Sequence, residues 1–161
     1  MTHTVLDCYL NGVPLAKDEL ASLSSEDIAA IVGFQMPGDA LEDTSDYAWS
    51  FEMLPLDLLR FSNEDGEEPE GGWKAAYLRH QESDREAVAN GSIEYEGRAE
   101  WLAEWSRDTS IYPLYIVTED DGYRLLDGYH RLAGAFWHGV EEVAVFLGSP
   151  KPTFDASFRK M

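Results

Sequence analysis

Cysteine is almost absent from this chain of 161 residues: Cys8 stands alone. A single thiol excludes an intramolecular disulfide and any zinc site built on cysteines. Basic residues are also scarce. Lys+Arg number 12 against 31 Asp+Glu, so the formal net charge is −19 and the pI lies near 4.3. A field of that sign opposes bulk affinity for nucleic acid or an anionic membrane, and no direct nucleic-acid binding is expected. The lysines are Lys17, Lys74, Lys151 and Lys160, a scarcity that also fits adaptation to high salt. No apolar run approaches the length of about 18 residues that a membrane span needs. The start, MTHTVLDCYLNG, lacks the basic stretch and apolar run of a secretory signal. The expectation is a soluble, cytoplasmic protein, in which Asn90-Gly91-Ser92 matches a glycosylation sequon by chance.

What is present is ordinary globular composition, 44% hydrophobic and 27% charged. The length is that of one domain, enough to hide roughly two-thirds of the unfolded surface without a metal or disulfide. The chain shows no internal repeat. It divides into an N-terminal extension over residues 1–45, a domain over 46–148 and a short tail over 149–161.

In the extension, Thr4 to Leu10 reads as a strand ended by Asn11-Gly12. Ser24-Ser25-Glu26-Asp27 reads as a helix start, with a hydroxyl cap and acids in the first turn. That helix would run to Phe34 and stop near Pro37-Gly38. Tyr47, Trp49, Phe51 and Met53 alternate with smaller or polar residues, the period of a half-buried strand, and Pro55 ends it. Leu56 to Phe61 reads as a helical turn. Glu64 to Glu70 holds five acids with Gly66 and Pro69 and is expected to be a solvated loop.

Trp73 to Ala89 reads as a helix with Trp73, Ala76, Tyr77 and Val88 on its inner face. Arg98 to Arg107 reads as a second, with Trp101 and Trp105 one turn apart in the core. Tyr112 to Val117 and Tyr123 to Leu126 read as a hairpin turned through Glu119 to Gly122. Tyr129 to Trp137 is the third helix of the domain, with Leu132, Ala135 and Phe136 inward and His138-Gly139 as its C-terminal cap. Val140 to Leu147 is a last strand. The fold class is therefore α+β, a small mixed β-sheet with packed helices.

Chemistry concentrates in Asp127-Gly128-Tyr129-His130-Arg131. A glycine between strand and helix lets the backbone turn sharply or lets a ligand approach. The first N–H groups of the helix are unpaired and favour an anion. Arg131 can fork two phosphate oxygens, and His130 can donate or shuttle a proton. Asp127 can orient His130, hold a magnesium ion carried by a nucleotide, or cap the helix. The same residues also suit a purely structural junction, but His and Arg oppose the helix dipole in a first turn, which favours a functional role. Tyr129 would stack on a base or pack in the core. Glu52, near the end of the first strand, is the candidate base for an incoming hydroxyl, although alternation points it away from Phe51 and Met53. His3 and His80 are expected at the surface. No two histidines share metal-ligand spacing on one helix, so no protein-bound metal site is expected.

The stretch from Pro113 to Gly148 resembles the C-terminal half of the ParB/sulfiredoxin-like domain. The resemblance lies in a Pro-entered strand, a short turn, a returning strand, a Gly-x-His-Arg motif opening a helix, and a final strand after a glycine. Tyr47 to Leu54 would be that domain's opening strand. The resemblance implies a nucleotide-phosphate site at the helix start. It places Gly128 and the amides of Tyr129 and His130 on the phosphates of ATP or another nucleotide with Mg2+, with Arg131 neutralising charge. It also implies phosphoryl transfer or nucleotide hydrolysis on a small molecule. In sulfiredoxins the residue between Gly and His is the catalytic cysteine; here it is Tyr129, which excludes that activity. Partition proteins carry Gly-Glu-Arg-Arg and a following DNA-binding domain, which this sequence does not show. The competing reading is a non-enzymatic acidic protein that mimics DNA or inhibits a basic partner, supported by charge alone.

Overall fold

Two segments carry apolar side chains on both of their alternating faces, and the architecture follows from burying both. The computed structural model describes residues 15–35, 46–59, 69–119 and 122–151. Along the chain these form α1 (Lys17–Ala21), α2 (Ser25–Gln35), β1 (Tyr47–Pro55), a 3-10 turn (Leu56–Leu58), α3 (Trp73–Ala89) and α4 (Arg98–Arg107). They continue through a second 3-10 turn (Thr109–Ile111), β2 (Leu114–Glu119), β3 (Gly122–Asp127), α5 (Tyr129–His138) and β4 (Glu142–Pro150). The fold is α+β. The four strands make one mixed sheet in the order β1-β4-β2-β3, with β2 and β4 parallel and the other neighbours antiparallel.

In β2 the side chains of Leu114 and Ile116 enter one core, and those of Tyr115 and Val117 enter another. In β4, Val143 and Val145 join the first core and Phe146 the second. Central strands buried on both faces need a cover on each side. On one side α3, α4 and α5 supply Trp73, Tyr77, Leu102, Trp105 and Leu132. On the other, α1 and α2 supply Leu20, Ile28, Ile31 and Val32 against Trp49, which lies on β1. The described part of the N-terminal segment thus forms the second outer layer. The start of α2 is closed by a reciprocal cap: the Asp27 amide donates to Ser24 Oγ at 3.0 Å, and the Ser24 amide donates to Asp27 Oδ2 at 3.3 Å. The Trp49 amide donates to Ser25 Oγ at 2.8 Å, tying this helix start to the edge strand.

Alternation in β1 places Tyr47, Trp49 and Phe51 on the α2 side, as their period requires. Two assignments of helix faces differ from expectation. Val88 is 37% exposed, and Asp84 takes the buried place near that end of α3. Trp105 is buried, but Trp101 is 43% exposed and lies tilted against the Tyr112 ring, 6.0 Å between centroids. The strand expected at Thr4 to Leu10, Pro37-Gly38, most of the acidic loop, Arg60-Phe61 and the tail beyond Lys151 lie outside the described residues.

Gly148 makes room for a cross-strand neighbour, since a Cβ there would lie 2.9 Å from the ring of Trp49, its register partner on β1. Because Ile28, Ile31 and Val32 of α2 are buried in the second core, that layer should be required for folding. Ile31 is fully buried. Ile31→Ala should lower unfolding stability by about 2–5 kcal/mol, measured by urea denaturation. A loss under about 0.5 kcal/mol would show that this layer contributes little.

Candidate functional site

The helix that carries the candidate residues is placed by its first residue. Gly128 has φ 111°, in the left-handed region, and is the N-cap of α5 without a side-chain bond to the helix amides. A Cβ on Gly128 would collide with Leu114 Cδ2, and Leu114 is fully buried in β2. The glycine is thus explained by chain direction and packing: it lets α5 start directly against the sheet.

Arg131 completes that placement. Its Nη1 donates to the Tyr112 carbonyl at 2.6 Å and to the Pro113 carbonyl at 3.2 Å, and its Nη2 donates to Asp127 Oδ2 at 3.4 Å. The Tyr112 carbonyl also accepts from Trp105 Nε1 at 3.1 Å. One carbonyl therefore joins α4 and α5 to the entry of β2. The Arg131 side chain is only 14% exposed. It was expected to reach a phosphate directly, yet the guanidinium points inward and holds backbone. Its charge still lies beside the helix start. Asp127, the most exposed of these partners, pairs with Arg131 rather than capping the helix.

His130 faces the other way. It is exposed, and its ring lies 4.0 Å, centroid to centroid, from the ring of His80 on α3. His80 was expected at the surface; it is half-buried, and its Nδ1 is enclosed with no hydrogen-bond partner among the described residues. Tyr129 closes over the pair, 5.3 Å from His80, and leans on Trp73 at 5.1 Å. Tyr129 is 38% exposed.

The electrostatics of the pair come from three helices. Burial pushes His80 down to about 4, helped by the nearby His130, Arg79 and Arg98, while Asp84 pulls upward. His130 is lowered as well, first because its packed side loses water and then because of Arg98, with Asp84 opposing. Asp84 is 8% exposed and meets Arg98 Nη1 at 3.4 Å. Arg98 also lies 4.5 Å above the Tyr95 ring. Asp84, Arg98 and Tyr95 wall a groove of about 270 Å³ between α3 and the start of α4.

Asp127, Gly128, Tyr129, His130 and Arg131 thus stand together, as consecutive residues must, but Arg131 and His130 point in different directions. Glu52 does not join them by any described contact. It is exposed on β1, accepts a hydrogen bond from Ser50 Oγ at 2.8 Å, and shares a cross-sheet row with Val145 and Leu114. Asp84 and Arg98 were given no functional role from the sequence, and His80 was read as a surface residue. The available signal was spacing: Trp73, Tyr77, His80 and Asp84 follow one stripe of α3, so the polar pair continues an apolar face. Among the described residues, no group of three or more His, Cys, Asp or Glu is placed to hold a metal ion, and no helix is long and apolar enough to cross a membrane.

Two outcomes follow from this geometry. Arg131→Ala leaves two carbonyls without their charged donor and should cost about 1.5–3 kcal/mol in thermal or urea unfolding. Unchanged stability would mean that the inward contacts carry no weight. His80 should remain neutral at pH 7. Because its folded value lies below the ordinary 6.5, the unfolded chain binds its proton more readily between pH 6.5 and about 4. Its contribution to stability is therefore full above 6.5 and lost as pH falls through that window. Imidazole proton shifts followed by NMR should show no His80 titration above about pH 5; a midpoint near 6.5 would remove the enclosed, unpartnered environment assigned to this ring.

No family model, curated protein or solved structure matches this chain.

Proposed function

We propose that this protein binds a phosphorylated small molecule, most simply a nucleotide such as ATP with Mg2+, at the start of α5. One observation carries the reading: the first turn of α5 has no side-chain cap and presents an exposed histidine, in a chain whose net charge is −19. A purely structural first turn more often carries acids than His and Arg, because the helix dipole favours them. The amides of Tyr129 and His130 would take phosphate oxygens. His130 would donate to them, and Arg131 would supply positive charge from behind the turn. Tyr129 offers an aromatic face for a base, with Trp73 supporting it. The order strand, strand, glycine, helix, strand from Leu114 to Pro150 supports the resemblance to the ParB/sulfiredoxin-like domain.

Phosphoryl transfer or nucleotide hydrolysis is the chemistry such a site would carry, mainly by positioning and charge stabilisation. His130 would serve as the acid or base. Glu52 would need a substrate large enough to bridge the sheet row that separates it from Leu114. Asp127 would remain available to a nucleotide-borne Mg2+ through the carboxylate oxygen not facing Arg131.

A second reading has one observation in its favour. Arg131 is engaged with backbone and Asp127, as expected if the acidic surface itself is functional and a basic protein is the partner. Thermal unfolding with ATP, ADP, CTP, GTP and pyrophosphate, each with magnesium, separates the two. A ligand at 100 times its dissociation constant adds roughly 2.7 kcal/mol, a shift of several degrees for a chain of this size. We expect such a shift with at least one nucleotide, and its loss in His130→Ala. A flat panel would move the assignment to the acidic surface, as would an undiminished shift in a folded His130→Ala protein.

A further inference from the structure

Past the far end of α5, the turn into β4 closes one side of a pocket of about 330 Å³. It is separate from the start of that helix, whose 10 residues span about 15 Å. Its walls come from distant parts of the chain: Lys17 from α1, Met53 from β1, Arg107 and Asp108 from the end of α4, and Glu141 and Glu142 from the turn into β4. Charges of both signs line this space without meeting. The ion pairs among the described residues are Arg98–Asp84, Arg131–Asp127, Arg124–Glu119 and Arg85–Glu82, and none of these five charged wall residues takes part in them. Their backbones are held apart. The Leu56 amide donates to the Glu141 carbonyl at 2.9 Å, Glu142 is the sheet partner of Pro55, and Asp108 Oδ1 accepts from the Ser110 amide at 3.2 Å. Asp108 Oδ2 has no partner among the described residues. Thr109 lines the same pocket and is 5% exposed. Its Oγ1 accepts from the Ala144 amide at 2.9 Å, and its own O–H has no acceptor among the described residues. A buried donor in that state favours an oxygen brought from outside.

We propose that this pocket binds a small zwitterion, an α-amino acid with an aliphatic side chain. The carboxylate lies against Arg107, Lys17 and the Thr109 hydroxyl, and the arginine fork suits its two oxygens. The ammonium group lies against Asp108 Oδ2, Glu141 and Glu142. Met53 and Val140 supply the apolar wall for the side chain. The volume is at the low end for small-molecule sites, which fits a ligand of this size. A simple anion would face three uncompensated carboxylates here, and a simple cation would face two bases. A ligand that carries both charges satisfies both sets at once.

The test uses the full chain, L-leucine, and two molecules that each keep one of its charges, 4-methylpentanoate and 3-methylbutylamine. Binding is read by calorimetry and by amide NMR. L-Leucine should shift the amide signals of Asp108, Thr109, Glu141 and Glu142, and each half-molecule should bind at least about tenfold more weakly. Arg107→Ala should weaken leucine binding by about tenfold, and Lys17→Ala by less. Both side chains are exposed, so both variants should fold, and the half-molecules decide the matter on the unaltered chain if one does not. An arginine that only balances the end of α4 would lose stability on substitution and leave leucine binding unchanged, which overturns the assignment. So does 4-methylpentanoate that binds as tightly as leucine, since the acids then read no ammonium group. Absence of these amide shifts at about 10 mM leucine overturns the site altogether. Nucleotide binding is read separately by thermal unfolding, and its outcome is independent of each of these.

Discussion

A strand with apolar residues on both faces cannot leave either face in water, and β2 and β4 impose that constraint on the whole chain. Leu114 and Ile116 point one way, Tyr115 and Val117 the other, and all four are essentially fully buried. Neither a single helical layer nor a hairpin alone would satisfy them. The three helices α3, α4 and α5 cover one side, and α1 with α2 cover the other. The position of α5 then has little freedom. It must begin where β3 ends, cross β2 on the side of Leu114, and deliver the chain to β4. The glycine at position 128 makes that start possible because no side chain stands between the turn and Leu114.

The same constraint decides what Arg131 does. The segment Ser110–Pro113 enters the sheet between two helices, and its carbonyls need donors inside a crowded joint. Trp105 and Arg131 provide them at Tyr112, and Arg131 extends to Pro113. An arginine is well suited to this because its planar fork presents several donors at fixed angles. The cost of removing it would fall on the fold. Any anion at the helix start would feel its charge without touching its outer face.

Much of the fold was legible because it rests on local patterns. The Trp73–Ala89 and Arg98–Arg107 helices have the bounds their caps and breakers imply, and β1 faces as its alternation requires. The glycine-opened helix from Tyr129 was legible for the same reason. The site was only partly legible. Periodicity identifies which stripe of a helix points inward, but a polar residue on that stripe reads as an exception until a partner is seen. His80 and Asp84 are such residues: their partners, His130 and Arg98, lie far along the chain. Trp101 failed in the opposite sense. Its spacing from Trp105 marks a shared stripe, but that stripe is wider than the buried seam, and one tryptophan lies beyond it. The inward turn of Arg131 depended on the Tyr112 carbonyl, and no local pattern announces a backbone acceptor from a distant segment.

Charge composition adds a final constraint on what an anion could meet here. In a chain of net −19, permanent cations tend to find a carboxylate. Arg98 has Asp84, Arg131 has Asp127, Arg124 has Glu119 and Arg85 has Glu82. Each pair is locally close to neutral, and beyond about 8 Å the remaining field is heavily screened at physiological salt. A lysine or arginine offered to a ligand at the α5 start would face the same competition from neighbouring acids. A neutral histidine does not, because it has no charge to attract them. The proposed phosphate contacts at the α5 start therefore fall to the exposed His130 and the helix amides, since the fork of Arg131 is held by the Tyr112 and Pro113 carbonyls and by Asp127.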